Sequence, residues 1–368
     1  MRGKMNRTKE LLVKLKAAIL DGRLSVENVP IADIKQCVAM EIEASAVFTV
    51  EQYSAVMESF YTLCGGIVGA EWDRSRILLW MDALILCVDM ISPMIYALAN
   101  SDYWRYKYRD RMDDPEIKEI IDYIEKEKTV NVFNYAFSKE YDALDVEVVL
   151  DEDSQMLYVP HKGKKLFFPR SWDEQRIADY YCSIAREQDV RSPHCYSETA
   201  IGAVAEGDVV LDAGAAEGIF ALDVIDRAKK VYLVESDKEW IEALEQTFRE
   251  EKDKVQIICG FLSDVHQGDR VSIDGLFEQE EINFIKMDIE GFEKPALQGG
   301  AGTLQRCKNI RCAICTYHCR EDEEWIRNVL EEYGFETETS KGYMWIVETI
   351  ESYLDAELRR GLIFGRKV

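Results

Sequence analysis

The chain has 368 residues, of which 47% are hydrophobic, and its formal net charge is −24 at pH 7. This length fits one large domain or two ordinary ones with a buried core. The negative charge opposes the long-range attraction that dominates nonspecific nucleic-acid binding, so no nucleic-acid partner is expected. Ten cysteines in a long chain whose first residues do not resemble a signal peptide indicate reduced thiols and a cytoplasmic protein.

Residues 1–130 are predicted to form a mostly helical domain. Apolar residues recur at three- and four-residue spacings over 11–19 and again over 117–124, as on one face of a helix. Residues 77–99 are long enough to span a bilayer, but two aspartates interrupt them and would be costly in its centre. A buried helix is therefore expected there, without membrane insertion.

Residues 131–190 are predicted to be an α/β lead-in that contains a β-hairpin. Two apolar runs, 146–150 and 156–159, flank an acidic turn, which is typical of a hairpin. A third apolar run follows at 165–168.

After residue 207, predicted strands and helices alternate. Alternation of this kind indicates βαβ units and a parallel sheet with helices on both faces. Two further segments, 335–339 and 343–347, are expected to close the sheet as an antiparallel hairpin, which leaves 351–368 as a C-terminal extension. The predicted parallel strands are 209–211, 231–234, 255–258, 282–285 and 313–316.

A loop of small residues, DAGAAEG, occupies 212–218 directly after the first of these strands. Gly214 permits a tight turn, and the small residues Ala213, Ala215 and Ala216 let a ligand approach the backbone. Gly214, Ala215 and Gly218 are assigned to the cofactor. The dinucleotide fingerprint is G-x-G-x-x-G, whereas here the glycines are separated by three residues and Asp212 precedes them. This favours S-adenosyl-L-methionine, whose ammonium group Asp212 would receive directly or through water. The alternative is a purely structural turn.

Polar residues at the next strand ends are also assigned to the cofactor. Glu235 closes the second strand about 20 residues after the loop, where an acid can accept both ribose hydroxyls, and Ser236 follows it. Ser263 and Asp264 come after the third strand and are predicted at the adenine edge. His194 lies before the first strand and is expected to close over the cofactor or the substrate, unless its turn is only structural.

Charged residues cluster after the fourth strand. If the strand continues through this cluster, its alternation places Lys286, Asp288 and Glu290 on the same face of the strand. They should lie at the mouth of the strand, because buried charges are costly unless they are paired or bound. Tyr317 and His318 follow the fifth strand. Either His318 or Asp288 is the predicted base, and Lys286 or Tyr317 would stabilise charge on the acceptor oxygen.

Two kinds of metal site are alternatives. Asp288 and Glu290 could hold a divalent cation that lowers the pKa of a hydroxyl, although a reaction without metal is preferred. Cys312 and Cys315 have the C-x-x-C spacing of zinc ligands. In a strand this spacing points them to opposite faces, so buried thiols are expected instead.

The stretch from about 192 to 348 resembles the FkbM-type methyltransferase family. The resemblance implies a class I methyltransferase Rossmann-like doubly wound sheet of seven strands, the last one antiparallel, within a domain over 191–350. It also implies S-adenosyl-L-methionine as donor and a hydroxyl of a sugar or secondary metabolite as the small-molecule acceptor. The alternatives are a scaffold with a non-catalytic methyltransferase-like domain and a nucleotide-dependent oxidoreductase. The residues that carry the resemblance are 192–194, 212–218, Glu235, 260–264, 285–293, 297–299, Tyr317 and His318.

Overall fold

A computed structural model describes residues 14, 16–18, 20, 101–127, 130–142, 144–197, 201, 203–346 and 356–367. Most of the predicted helical region, including 77–99, lies outside these residues. The chain divides into two compact units, Met1–Asn134 with Trp345–Glu357 and Tyr135–Met344 with Leu358–Val368. Within the described part, no helix is long and apolar enough to cross a membrane.

Helices are the main described elements of the first unit. Helix α1 spans Ser101–Lys107, a 3-10 turn covers Arg109–Arg111, and helix α2 spans Pro115–Glu127. Proline suits the start of α2 because the first helical turn needs no amide hydrogen there. The predicted apolar face is confirmed, since the buried side chains of α2 are Ile117, Ile120, Ile121, Tyr123 and Ile124.

A small antiparallel sheet opens the second unit. A 3-10 turn at Ala136–Ser138 and helix α3, Lys139–Asp142, precede it. Strands β1 (Val149–Asp151) and β2 (Met156–His161) form the predicted hairpin, and β3 (Lys164–Phe167) pairs with the other side of β2. Helix α4, Glu174–Glu187, follows, and the Asp173 side chain caps it by accepting a hydrogen bond from the Arg176 amide.

The five predicted parallel strands are all present, together with shorter ones. In chain order the strands are β4 Val209–Ala213, β5 Lys230–Glu235, β6 Val255–Cys259, β7 Phe261–Leu262, β8 Arg270–Val271, β9 Phe284–Met287, β10 Ile310–Cys315, β11 Glu336–Thr339, β12 Met344–Ile346, β13 Glu357–Arg359 and β14 Leu362–Lys367. The helices among them are α5 Ile219–Val224, α6 Lys238–Thr247, α7 Ile273–Leu276, α8 Glu293–Gln298, α9 Ala301–Arg306 and α10 Asp322–Glu332.

Seven strands form one mixed sheet in the order β11-β14-β10-β9-β4-β5-β6. Strands β4, β5, β6, β9 and β10 are parallel, and β14 runs antiparallel to both β10 and β11. The loops that follow the parallel strands therefore meet at one edge. The order of connections reverses at β4, between β5 and β9, and a ligand site is expected at such a point.

Both faces of this sheet are covered. Val210, Val231 and Phe284 belong to one buried cluster, whereas their neighbours Leu211 and Tyr232 belong to another. Helix α5 contributes side chains to the first cluster and helix α10 to the second, so helices cover both faces as predicted. Cys315 lies in the first cluster and Cys312 in the second, as the strand interpretation of the C-x-x-C spacing predicts.

The predicted closing hairpin is wrong. Strand β11 pairs with β14, whereas β12 belongs to a different, two-stranded sheet. The segment predicted as a C-terminal extension therefore supplies the antiparallel strand of the main sheet. The reason is packing: Leu362, Ile363 and Phe364 are buried between β10 and β11, and burying these side chains is worth about 1.5–3 kcal/mol each.

Candidate functional site

A cavity of about 550 Å³ opens at the carboxyl edge of the parallel strands. Its wall is made by the loops after β4, β5, β6 and β9 and by helix α4. The volume lies within the range of pockets that enclose a small organic ligand. It stands at the reversal point beside β4, where the topology places a ligand.

The loop after β4 approaches the chain after β9 very closely. Gly214 has φ +72°, and a Cβ on it would stand 1.8 Å from the Asp288 carbonyl oxygen. Only glycine fits there, because both the backbone conformation and the space exclude a side chain. Ala215 and Ala216 line the cavity as predicted, but the described lining does not include Gly218, which turns at φ +80° against Leu244.

Asp212 does not face the cavity within the described structure; it lies beneath the loop. It is fully buried in β4, and its Oδ1 is 3.0 Å from the Lys286 Nζ. Lys286 also donates a hydrogen bond of 2.6 Å to the Gly214 carbonyl oxygen. Burial raises the pKa of Asp212, and the charge of Lys286 opposes that rise. The geometry therefore makes Asp212 and Lys286 an anchor for the loop. Within the described part of the chain, the Asp212 carboxylate has no exposed surface for the predicted contact with an ammonium group, direct or through water.

Glu235 and Ser236, which the sequence assigns to the cofactor, both lie in the cavity wall. The Glu235 carboxylate accepts hydrogen bonds from the amides of Ala216 at 2.9 Å, Ser236 at 2.6 Å and Asp237 at 2.8 Å. A carboxylate has about four acceptor positions. Three are used here, so its orientation is fixed by the backbone, and one position remains for a ligand hydroxyl.

Only some of the residues after the third strand belong to the cavity wall. Phe261 and Leu262 line the cavity. Ser263 and Asp264 do not belong to its described lining: the Ser263 hydroxyl donates to the Asp264 carboxylate at 2.9 Å, and the Ser263 amide donates to the Val271 carbonyl oxygen. The predicted contact of Ser263 and Asp264 with the adenine edge is not supported, because pairing with β8 leads the chain away from the cavity.

Asp288 is the centre of a buried polar cluster. Tyr196 donates a hydrogen bond of 2.7 Å to its Oδ2, and Tyr317 donates one of 3.3 Å to its Oδ1. The Nε2 atoms of His194 and His318 each lie 3.5 Å from the carboxylate. The structure thus brings together the residues that the sequence placed at two different strand ends.

These neighbours keep Asp288 ionised. Burial by itself raises the pKa of this carboxyl, but hydrogen bonding and charge from His194, with the charges of Lys286 and His318, hold the pKa well below its usual range. Asp288 is therefore an acceptor of hydrogen bonds and a weak base.

His318 lies behind Asp288 and outside the described cavity lining. Its Nδ1 is 3.1 Å from the Glu293 carboxylate, and its Nε2 is 3.6 Å from that of Glu290. Burial lowers the pKa of His318, but Glu293, Asp288 and Glu290 outweigh this effect and raise it. Glu290 itself lines the cavity and extends into solvent.

His194 also lies outside the described lining. Its ring packs against those of Tyr196 and Tyr317, with centroids 5.1 and 5.3 Å apart. A histidine buried beneath two wall residues supports the wall, so the predicted lid over the ligand is not what the structure shows.

Several wall residues were missed at the sequence level. Glu217 is buried in the wall and accepts a hydrogen bond of 2.9 Å from Tyr180. Glu217 belongs to the small-residue loop and Tyr196 follows His194 by two positions, so both were close to recognised signals. Tyr180 lies on α4 and Trp240 on α6. Both fit the ordinary apolar periodicity of a helix, so the sequence did not mark them as site residues.

The described cavity wall is strongly acidic. Its only basic side chain is Lys286, which is already bound to Asp212 and Gly214. Such a wall favours neutral or cationic ligands and disfavours phosphates. The carboxylates that line it are Glu187, Glu217, Glu235, Asp237, Asp288 and Glu290.

Replacing Tyr196 by Phe is expected to lower the free energy of unfolding by about 1–3 kcal/mol, because one oxygen of a charged carboxylate loses its hydrogen bond. Tyr317→Phe is the matched variant and should cost less, since its Oη–Oδ1 distance is 3.3 Å against 2.7 Å for Tyr196. Urea unfolding of both variants measures the difference. A larger loss for Tyr317→Phe would contradict this ranking.

Residues 263–337 match the family model described as "Methyltransferase FkbM domain". This match confirms the resemblance to FkbM methyltransferases over that segment. No curated protein matches the chain.

Solved structures of methyltransferases are similar to part of the chain. The FkbM methyltransferase of Methylobacillus flagellatus KT has 17% identity and a TM-score of 0.39, covering 51% of this chain and 52% of that one. This chain therefore spans about half of that protein. Precorrin-6y C5,15-methyltransferase of Geobacter metallireducens GS-15 has 11% identity, a TM-score of 0.33 and coverage of 45% and 83%. An rRNA methylase of Streptococcus thermophilus has 14% identity, a TM-score of 0.31 and coverage of 45% and 89%. These values are too low to transfer an acceptor.

Proposed function

We propose that this cavity binds S-adenosyl-L-methionine and that the chain transfers its methyl group to a hydroxyl of a small molecule, such as a sugar or secondary metabolite. One observation carries the proposal: the ends of β4, β5 and β9 bring the Gly214 loop, Glu235 and Asp288 to a single cavity. The match of 263–337 to the FkbM methyltransferase domain supports it. The sheet order is consistent with the class I methyltransferase fold that we propose for this unit.

The wall has the chemistry that this cofactor requires. The small side chains of Ala215 and Ala216 let a ligand approach the Gly214 loop closely, and Glu235 has one acceptor position left for a ribose hydroxyl. Phe261 and Leu262 supply apolar surface for a flat ring. S-adenosyl-L-methionine carries a net positive charge, which the carboxylates of the wall complement.

Asp288 and its neighbours would then act on the acceptor. When bound, the cofactor supplies an electrophilic methyl group on a sulfonium. Asp288, which faces the cavity, would accept a hydrogen bond from the acceptor hydroxyl and hold its oxygen in line. Its low pKa prevents it from keeping the proton, which would pass to the adjacent His318 when that imidazole is neutral. Tyr317 would stabilise charge on the oxygen, whereas the Lys286 ammonium is held by the Gly214 loop and acts through it.

A small-molecule acceptor is proposed in preference to nucleic acid. The chain carries a net charge of −24, and the wall has six carboxylates and one committed lysine among its described residues. A phosphate backbone would be repelled both by the net charge of the chain and by the carboxylates of the cavity wall.

Calorimetric titration with S-adenosylhomocysteine tests the cofactor assignment. Glu235→Gln is expected to weaken binding by about tenfold or more, because an amide cannot accept all the bonds that the carboxylate makes. Glu278→Gln, an exposed glutamate outside the wall, is the control and should bind normally. If the wild-type chain does not bind S-adenosylhomocysteine, the proposed methyltransferase activity is refuted, and the interpretation as a non-catalytic scaffold remains.

A further inference from the structure

Three potential metal ligands converge behind the cavity wall. Asp288, Glu293 and His318 each offer one ligand atom, and these atoms lie within 4.8 Å of one another. We propose that Asp288, Glu293 and His318 form a divalent-cation site suited to Mn²⁺. The site would bind the ion by itself, and only its catalytic role rests on the proposed methyl transfer.

Buried polar atoms in this cluster lack partners. The Glu293 side chain is 1% exposed; its Oε1 accepts a hydrogen bond of 3.0 Å from the Ile289 amide, while its Oε2 makes none within the described structure. The two ring nitrogens of His318 approach carboxylates but likewise make no well-aligned hydrogen bond to the described residues. Leaving such groups unsatisfied is costly, and a cation in the cluster would satisfy the Glu293 carboxylate and one ring nitrogen of His318 together.

The backbone after β9 is shaped to bring these ligands together. Glu290 has φ +55° and Gly291 has φ +90°, so the chain reverses directly after Asp288. This reversal places Glu293, the first residue of α8, next to His318 from the loop after β10. A non-glycine residue in the left-handed region is uncommon, and such strain is concentrated at functional sites.

The ligand set indicates the kind of ion. Two carboxylates and one imidazole suit Mn²⁺ better than soft ions, which prefer thiolates. Three protein ligands leave coordination positions for water and an acceptor oxygen, and Glu290, with its Oε2 3.6 Å from the His318 Nε2, stands close enough to join them. Because Asp288 faces the cavity, the ion would lower the pKa of a bound hydroxyl. His318 would then act as a ligand and not as a proton acceptor.

A second triad shares Asp288 but is less suited to this role. It consists of His194, Asp288 and Cys315. Burial raises the pKa of the Cys315 thiol well above its usual value, whereas a metal ligand must be the thiolate. Neither His194 nor Cys315 lies in the described cavity wall.

The test is titration of the metal-free full-length chain with Mn²⁺, followed by electron paramagnetic resonance. One bound ion per chain is expected, with a nitrogen coupling in the pulsed spectrum that shows an imidazole ligand. Glu293→Gln and His318→Gln should each weaken binding by at least tenfold, and His318→Gln should remove the coupling. His266→Gln, an exposed histidine elsewhere, should change neither.

Binding of S-adenosylhomocysteine is measured in the same samples. If Glu293→Gln or His318→Gln loses Mn²⁺ binding but still binds S-adenosylhomocysteine, the result supports the site, because the cavity of that variant is folded. Absence of Mn²⁺ binding or of the nitrogen coupling in the wild-type chain overturns the site, whether or not the variants fold. Loss of binding in Cys315→Ala but not in His318→Gln overturns it in favour of the second triad. A wild-type chain that binds S-adenosylhomocysteine without Mn²⁺ leaves the proposed function intact.

Discussion

Replacing Lys286 by Met is expected to destabilise the chain by about 3–5 kcal/mol, because it leaves a buried carboxylate without its cation. Asp212 is fully buried, and the Lys286 Nζ lies 3.0 Å from its Oδ1. The same substitution removes the hydrogen bond to the Gly214 carbonyl oxygen. S-adenosylhomocysteine binding should weaken as well, since the loop loses its anchor. Urea unfolding and calorimetry measure the two effects.

The double variant Asp212→Asn with Lys286→Met separates charge from packing. Removing both charges should restore part of the lost stability, because an unpaired buried charge costs more than a neutral amide. Recovery should be incomplete, since the amide oxygen and nitrogen still need partners. If the double variant were less stable than Lys286→Met, the ion pair would not be the source of the effect.

Gly214→Ala is expected to abolish measurable S-adenosylhomocysteine binding and to cost about 2–5 kcal/mol of stability. An alanine Cβ would stand 1.8 Å from the Asp288 carbonyl oxygen at φ +72°, so the loop after β4 must move away from β9. Overpacking costs about 1–3 kcal/mol, and the left-handed conformation adds about 1–2 kcal/mol. The displacement also separates the two segments of the cavity wall that follow β4 and β9.

Gly207→Ala is the matched control for backbone conformation. Gly207 has φ +83°, but a Cβ on it would meet nothing within 4 Å. It should therefore lose only the conformational contribution of about 1–2 kcal/mol and keep normal binding. Equal losses in the two variants would show that the close approach to Asp288 has no energetic importance.

Local patterns predicted the parallel strands and the positions of their ends. Apolar runs of three or four residues followed by a charged or small residue indicate where a buried strand stops, because charges are costly inside a sheet. Glu235 and Asp288 were assigned to the site for this reason, and Tyr317 because it follows the fifth strand; all three line the cavity. The hairpin of 335–339 with 343–347 was wrong because strand pairing depends on partners that are distant in the chain.

The direction in which a side chain points was harder to predict from the sequence. Asp212 was expected to meet a ligand but faces Lys286, because a charge inside a parallel sheet is retained when a neighbouring strand supplies its counter-ion. Ser263 and Asp264 follow a strand end as Glu235 does, yet after the pairing with β8 Ser263 is buried outside the cavity lining and Asp264 is exposed.

By itself, the sequence determined the alternation of strands and helices, the small-residue loop at 212–218 and the charged cluster at 286–293. These follow from periodicity and from the cost of burying charge, both of which act over a few residues. Only the tertiary structure decided that Tyr180, Tyr196, Glu217 and Trp240 complete the wall, that Glu293 lies against His318, and that β14 enters the sheet. Each of these depends on contacts between segments distant in sequence, and no local pattern specifies them.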